Sequence, residues 1–280
     1  MIPMKILFPT DFSPVAHNAF TYAVEMASKL EASIHVLHVY RKPEIKSMYV
    51  PHALEEFNSS FDLHKFSNFK EEISYLRQLS AEYGNENLLL NFALEEGENE
   101  VNTILKYANQ ENVDLIILGT TGAGAIKEMF FGSVAGEILE NSDCPVLAIP
   151  AKAKFDGNID QIAFATDFKS ESFQPLQWTI NFCAQFESVL HVVNVDTAHT
   201  EFFSGRMETL KSMFQEKEKI QFHVLPGNEV EKELSNFLLE EKIDFLVMVT
   251  HKRNWIQELF QYSRTKNLSH QAKIPVMSLK

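Results

Sequence analysis

Lys5-Ile6-Leu7-Phe8-Pro9-Thr10-Asp11-Phe12 decides the fold, because it occurs twice: it returns as Gln161-Ile162-Ala163-Phe164-Ala165-Thr166-Asp167-Phe168. Its apolar core is continuous rather than alternating, the pattern of a parallel strand buried on both faces. Leu37-His38-Val39 returns as Val193-Asn194-Val195 at the same offset of 156 residues. Asp114-Leu115-Ile116-Ile117-Leu118 returns as Asp244-Phe245-Leu246-Val247-Met248, and Pro145-Val146-Leu147 as Pro275-Val276-Met277, both at an offset of 130. The difference, 26 residues, marks an insertion in the first half between Val39 and Leu88. A repeat this long is a duplicated domain, not a solenoid unit of about 20–50 residues. A length of 280 residues suits two domains.

Within each half, strands alternate with helices. Ser13 is placed to cap the first helix and Pro14 suits its first position. Ala16, Ala19, Phe20, Ala23, Val24, Ala27 and Leu30 then form one apolar stripe at helical spacing. The second strand is expected over residues 34–39 and the third over residues 88–92. The next helix is expected over 99–109, with Val101, Ile104, Leu105 and Ala108 facing inward. Such alternation implies a parallel sheet covered by helices on both faces, with ligands bound beyond the carboxyl ends of the strands. Asp11, Val39 and Gly119 fall at or near such ends.

The strand Leu115-Ile116-Ile117-Leu118 runs directly into Gly119 and Gly122, and nine residues later come Gly132 and Ser133. Glycines there let a phosphate approach the backbone. Gly132-Ser133 opens the apolar stretch Val134-Ala135-Gly136-Glu137-Ile138-Leu139, read as a helix whose unpaired N–H groups and positive end suit an anion. A connecting turn would also use glycines, so this spacing alone leaves both readings open.

Taken with Pro9-Thr10-Asp11 and the Pro145-Val146 strand, the glycine pattern resembles that of the universal stress protein family. The resemblance covers nearly the whole chain, as a tandem of two such domains. It implies two doubly wound five-stranded parallel-sheet α/β domains, Rossmann-like and adenine nucleotide alpha hydrolase-like. Residues 1–150 carry the intact ATP-binding signature and residues 158–280 a degenerate one. Carried over by position, Asp11, after Pro9 and Thr10, and the backbone of Val39 would meet adenine. Gly119, Gly122, Gly132 and Ser133 would cradle ribose and phosphates, with Val134 and Ala135 donating backbone N–H groups. Ala135 stands where some members carry a hydroxyl. The expected cofactor is ATP, alone or with Mg²⁺; Glu128 reads as an exposed loop acid or as a contact to such an ion.

In the second half Val249, Lys252 and Tyr262 replace the three glycines, while Asp167 and Ser263 remain. A β-branched valine suits a positive-φ turn poorly, and a phenol ring occupies the space of a phosphate. His251, Lys252, Arg253 and Arg264 are basic, and read as solvated loop charges. This half is read as a partner that lost ATP. Its final strand and that of the first half are expected to pair antiparallel across a pseudo-two-fold axis, making the chain an intramolecular pseudo-dimer.

The net charge of −13 argues against a nucleic-acid groove. Most of it lies in residues 1–150, with 10 basic and 21 acidic residues. No apolar run reaches the about 18 residues of a membrane span, and no signal peptide is read at the N-terminus, so cytoplasmic residence is the default. Cys144 and Cys183 form no C-x-x-C pair. The ten histidines lack metal-ligand spacing; His35 and His38 should face opposite sides of one strand. Glu95-Glu96-Gly97-Glu98 reads as a solvated turn. No positioned general base is found, so the chain is at most a weak ATPase.

The insertion, residues 40–70, carries Tyr49, Val50, Pro51, Leu54, Phe57, Phe61, Leu63 and Phe66, which fits a short helix acting as a lid or as a homodimer surface. Two functions follow: an ATP-binding stress or signalling protein, or a ligand-binding or protein-interaction module that uses the same fold without nucleotide. The downstream partner is not named by the sequence.

Overall fold

In a computed structural model the described residues are 4–42, 51–121, 132–168, 173–197, 201–214, 219–249 and 274–280. The first half contains β1 (Lys5–Pro9), α1 (Pro14–Leu30), β2 (Ser33–Tyr40), α2 (Pro51–Glu82), β3 (Leu90–Glu96), α3 (Glu100–Glu111), β4 (Leu115–Gly119), α4 (Ser133–Asn141) and β5 (Val146–Ile149). The second contains β6 (Gln161–Ala165), α5 (Phe173–Phe186), β7 (Val189–Asp196), α6 (Glu201–Met213), β8 (Ile220–Pro226), α7 (Val230–Glu240), β9 (Phe245–Val249) and β10 (Val276–Leu279).

All ten strands join one sheet in the order β3-β2-β1-β4-β5-β10-β9-β6-β7-β8. Each half is the parallel order expected of a doubly wound domain. The halves meet where β5 and β10 pair antiparallel, Val276 opposite Ala148 and Ser278 opposite Val146. This pairing closes two strand edges that would otherwise expose backbone donors and acceptors. The Ser278 hydroxyl also donates to the Leu139 carbonyl across the seam, 3.0 Å away.

The inner strands β1, β4, β5, β6, β9 and β10 are buried on both faces, which is why they read as continuous apolar runs. Ile6, Phe8, Ile34, Val36, Leu115 and Ile117 face one core with Phe20, Val24 and Met26 of α1. Leu7, Leu37, Ile116 and Leu118 face a second core with Ile104 of α3 and Ile138 of α4. Fully burying such a side chain stabilises by about 1.5–3 kcal/mol. α1 begins as its sequence requires: Ser13 Oγ accepts from the Ala16 N–H at 3.2 Å, and Pro14 fills the first position.

Two elements depart from expectation. The third strand lies at Leu90–Glu96 instead of 88–92, because its pairing with β2 runs on to Tyr40 opposite Glu96. Glu95 and Glu96 are tolerated there because β3 is an edge strand. The insertion feeds a 32-residue helix, Pro51–Glu82, that runs on past residue 70, instead of forming a short one. Its later half belongs to the core: Leu76 is fully buried and Phe69 nearly so. Of the apolar positions that suggested its face, Tyr49 and Val50 lie outside the described residues, as do the side chains of Pro51, Leu54 and Phe57. The linker between halves is anchored as well. Ala153 is buried, its carbonyl accepts from Asn18 Nδ2 at 3.1 Å, and Phe155 packs edge-on against Tyr22.

Candidate functional site at the strand ends of the first half

β1 ends in a tightly closed turn. The Thr10 N–H donates to the Leu37 carbonyl at 2.9 Å, and Thr10 Oγ1 accepts from the Phe12 N–H at 3.0 Å. Asp11 Oδ1 accepts from the Ser13 N–H at 3.0 Å. Phe12 takes a left-handed φ of 59°. The turn holds Asp11 partly exposed at the carboxyl edge of the sheet, between buried Thr10 and buried Ser13. Pro9, the last residue of β1, pairs with Leu37.

Neighbouring elements converge on this edge. Val39, next to last in β2, is half-buried and packs on the same core as Leu105 of α3 and Val134 of α4. Glu100, the first residue of α3, has its carboxyl pushed up by burial and then by the charge of Asp11. The α3 start and the Asp11 turn therefore share one mouth. Gly119 closes β4, the Thr120 N–H donates to Ile149, and Thr120 in turn accepts from the Gly132 N–H at 2.6 Å. That last bond places the start of α4 beside the end of β4.

The helix starts differ in how they are finished. Asn99 Oδ1 accepts from the Asn102 N–H in α3, as Ser13 does in α1. At α4 the capping position is Gly132, which offers no side-chain hydrogen bond. Beyond it Ser133 is exposed, Val134 half-buried and Ala135 buried. An uncapped first turn leaves N–H donors and the positive end of the helix directed at whatever lies beyond.

Thus Pro9, Thr10, Asp11, Val39, Gly119, Gly132, Ser133, Val134 and Ala135 all lie at one end of the sheet. Gly122 and Glu128 are outside the described residues, as are Lys252, Tyr262, Ser263, His251, Arg253 and Arg264. Gly119 has a packing reason independent of any ligand. A Cβ there would sit 3.0 Å from Val15 Cγ1 and 3.3 Å from the Val15 backbone. Val249 ends β9 opposite Leu279 as Gly119 ends β4 opposite Ile149.

His38 was missed as a site residue. Its Nδ1 lies 2.8 Å from the Thr10 carbonyl, and its ring packs on Phe12 with centroids 4.6 Å apart. The sequence signal was a polar residue at the same place in both halves, His38 and Asn194. His35 does point to the opposite face, toward Asn91 and Tyr107. Among the described residues no cluster of three or more His, Cys, Asp or Glu is arranged to hold a metal ion. No helix among them is long and apolar enough to cross a membrane.

A duplicated, doubly wound α/β chain with Gly119 and Gly132 at the strand ends of its first half defines the class of fold. The universal stress protein family model matches residues 4–150 and again 158–280, and the chain belongs to that family. The universal stress protein MJ0531 of Methanocaldococcus jannaschii is 27% identical over 150 residues, covering 54% of this chain and 84% of its own. YxiE of Bacillus subtilis is 28% identical over 152 residues, covering 52% and 97%. A universal stress protein from Archaeoglobus fulgidus superposes with a TM-score of 0.69 at 18% identity, covering 99% of this chain and 96% of that one, a likeness of fold.

Proposed function

We propose that the first half binds one adenine nucleotide, ATP, and that its occupancy sets the conformation or assembly of a stress-response protein. The observation that carries this reading is the α4 start: a glycine-capped helix end, tied through Thr120 to β4 at the same end of the sheet as Asp11. The donor set fits the group. Asp11 would accept from the adenine amino group, and the Val39 backbone would meet the base edge. The N–H groups of Ser133, Val134 and Ala135 would meet phosphate oxygens, with Gly122 leaving room for them. The mouth is acidic, with the Glu100 carboxyl pushed up by burial and by the nearby charge of Asp11, so Mg²⁺ on the phosphates would offset repulsion of the triphosphate. In the second half Val249 stands in place of the first glycine, and this half is assigned no nucleotide. Residence in the cytoplasm belongs to the same reading.

A second reading, an interaction module that works without nucleotide, draws on α2, where Leu63 and Phe66 are 70% and 59% exposed. Equilibrium binding of labelled ATP to the full chain, with hydrolysis followed in the same sample, separates the two. Saturable binding with little turnover is expected. Absence of binding with and without Mg²⁺ would favour the interaction module.

A further inference from the structure

We infer that His38 is the positioning residue of the nucleotide site, fixing and polarising the peptide that presents Asp11. The inference deepens the nucleotide reading and rests on it for its binding arm only. His38 lies one residue before Val39 but on the opposite face of β2, so its side chain reaches the turn after β1. Its Nδ1 is 2.8 Å from the Thr10 carbonyl oxygen. A carbonyl only accepts, so Nδ1 carries the hydrogen and donates. The ring is held by Phe12 at 4.6 Å and by Phe69 of α2 at 6.3 Å, stacked at 23°.

The consequence is chemical as well as steric. The Thr10 carbonyl and the Asp11 N–H belong to one peptide group. A hydrogen bond accepted by the carbonyl strengthens the N–H of the same group as a donor, because bonds in a chain polarise one another. Three further bonds at this turn come from within it or from the strand backbone: the Thr10 N–H to the Leu37 carbonyl, the Phe12 N–H to Thr10 Oγ1 and the Ser13 N–H to Asp11 Oδ1. His38 brings a side-chain donor to it from a different element.

The second half supplies an internal control. Asn194 occupies the position of His38 and donates its Nδ2–H to the Thr166 carbonyl at the same 2.8 Å. Phe168 has φ 60° against 59° for Phe12, and its N–H donates to Thr166 Oγ1 at 3.0 Å, as in the first half. Two side chains of different shape are kept for one hydrogen bond. The bond, rather than imidazole chemistry, is the common requirement. A purely space-filling role would not need a donor at either place.

The test uses the full chain with His38→Leu and His38→Asn. Loss of one hydrogen bond corresponds to about three- to tenfold in affinity. The Kd for MgATP should rise by that factor in His38→Leu and return toward wild type in His38→Asn. In nucleotide-free protein the Asp11 amide ¹H resonance should move upfield in His38→Leu and recover in His38→Asn. Because this arm needs no ligand, it survives if ATP does not bind, and so separates failure of the positioning role from failure of the nucleotide reading. In wild-type protein, ¹⁵N multiple-bond correlation should show the Nδ1–H tautomer of His38 even if a variant fails to fold. An Nε2–H tautomer, or an Asp11 amide indifferent to His38→Leu, would overturn the inference.

Discussion

Asp11 holds the turn before α1, and the proposed adenine contact would be a second role of different magnitude. Its Oδ1 accepts from the Ser13 N–H at the entrance of α1, an interaction of the size of a helix cap, about 1 kcal/mol. Adenine recognition would add to this. Asp11→Ala is therefore expected to lower stability by about 1 kcal/mol while weakening ATP binding by a larger factor. Unchanged affinity beside that stability loss, read by calorimetry and denaturant unfolding, would leave Asp11 with a structural role alone. Gly119 makes the opposite case. Its missing side chain is explained by Val15 at 3.0 Å. Gly119→Val should destabilise the ligand-free protein by about 1–3 kcal/mol through overpacking. A fully stable variant would show that α1 moves aside freely. The glycine pattern was legible in the sequence, but this reason for it was not, since the helix that crosses β4 lies a hundred residues earlier in the chain.

At the scale of elements, strands and capped helices were legible because their signals are local: Ser13-Pro14 starts α1, and apolar runs mark β1, β2 and β4. α2 was not, because half its pattern lies beyond the insertion. Its core face, Phe69 and Leu76, matches Phe203 and Leu210 of α6, and Phe203 stacks on Phe168 at 6.0 Å as Phe69 meets Phe12 at 6.0 Å. The residue between them hid the match by changing charge. Glu72 pairs with His17 at 3.3 Å, whereas Arg206 donates to the Phe168 carbonyl at 2.7 Å. Phe69→Ala is expected to cost about 3–5 kcal/mol, a core loss, and chemical denaturation measures it. A cost below about 1 kcal/mol would mean that α2 is dispensable to the core.

The strands of the second half carry a pH-dependent contact. His191 Nε2 lies 2.7 Å from Gln161 Oε1, so that nitrogen donates, and His191 Nδ1 must accept from His223 Nε2 at 3.1 Å. The pair is satisfied when both rings are neutral. Burial holds both below the ordinary histidine range, and His223 pushes His191 further down; nearby Glu241 works against this. The facing helix contributes Phe237. A depressed folded pKa means the unfolded chain binds more protons, so the stability is present above about pH 6.5 and is lost as pH falls through the folded values. Unfolding free energy should drop between pH 7 and 5, and His223→Gln should flatten that slope. An unaltered slope would assign the effect elsewhere, for instance to His35 and His38, which are also depressed by burial.

For the molecule as a whole, the duplication explains why one ten-stranded sheet runs through both halves. The antiparallel seam follows from two apolar terminal strands with unpaired edges, Val146–Ile149 and Val276–Leu279. It was legible because each half ends on a Pro-Val strand. Beyond the seam the halves diverge at their strand ends, where β4 closes on Gly119 and β9 on Val249. We propose one competent site per chain, and titration calorimetry of the full chain with MgATP measures it. One nucleotide bound per chain is expected, with binding abolished by Gly122→Val, where the family pattern of the sequence calls for a glycine beside the phosphates. Two equivalent sites, or wild-type affinity in that variant, would contradict it.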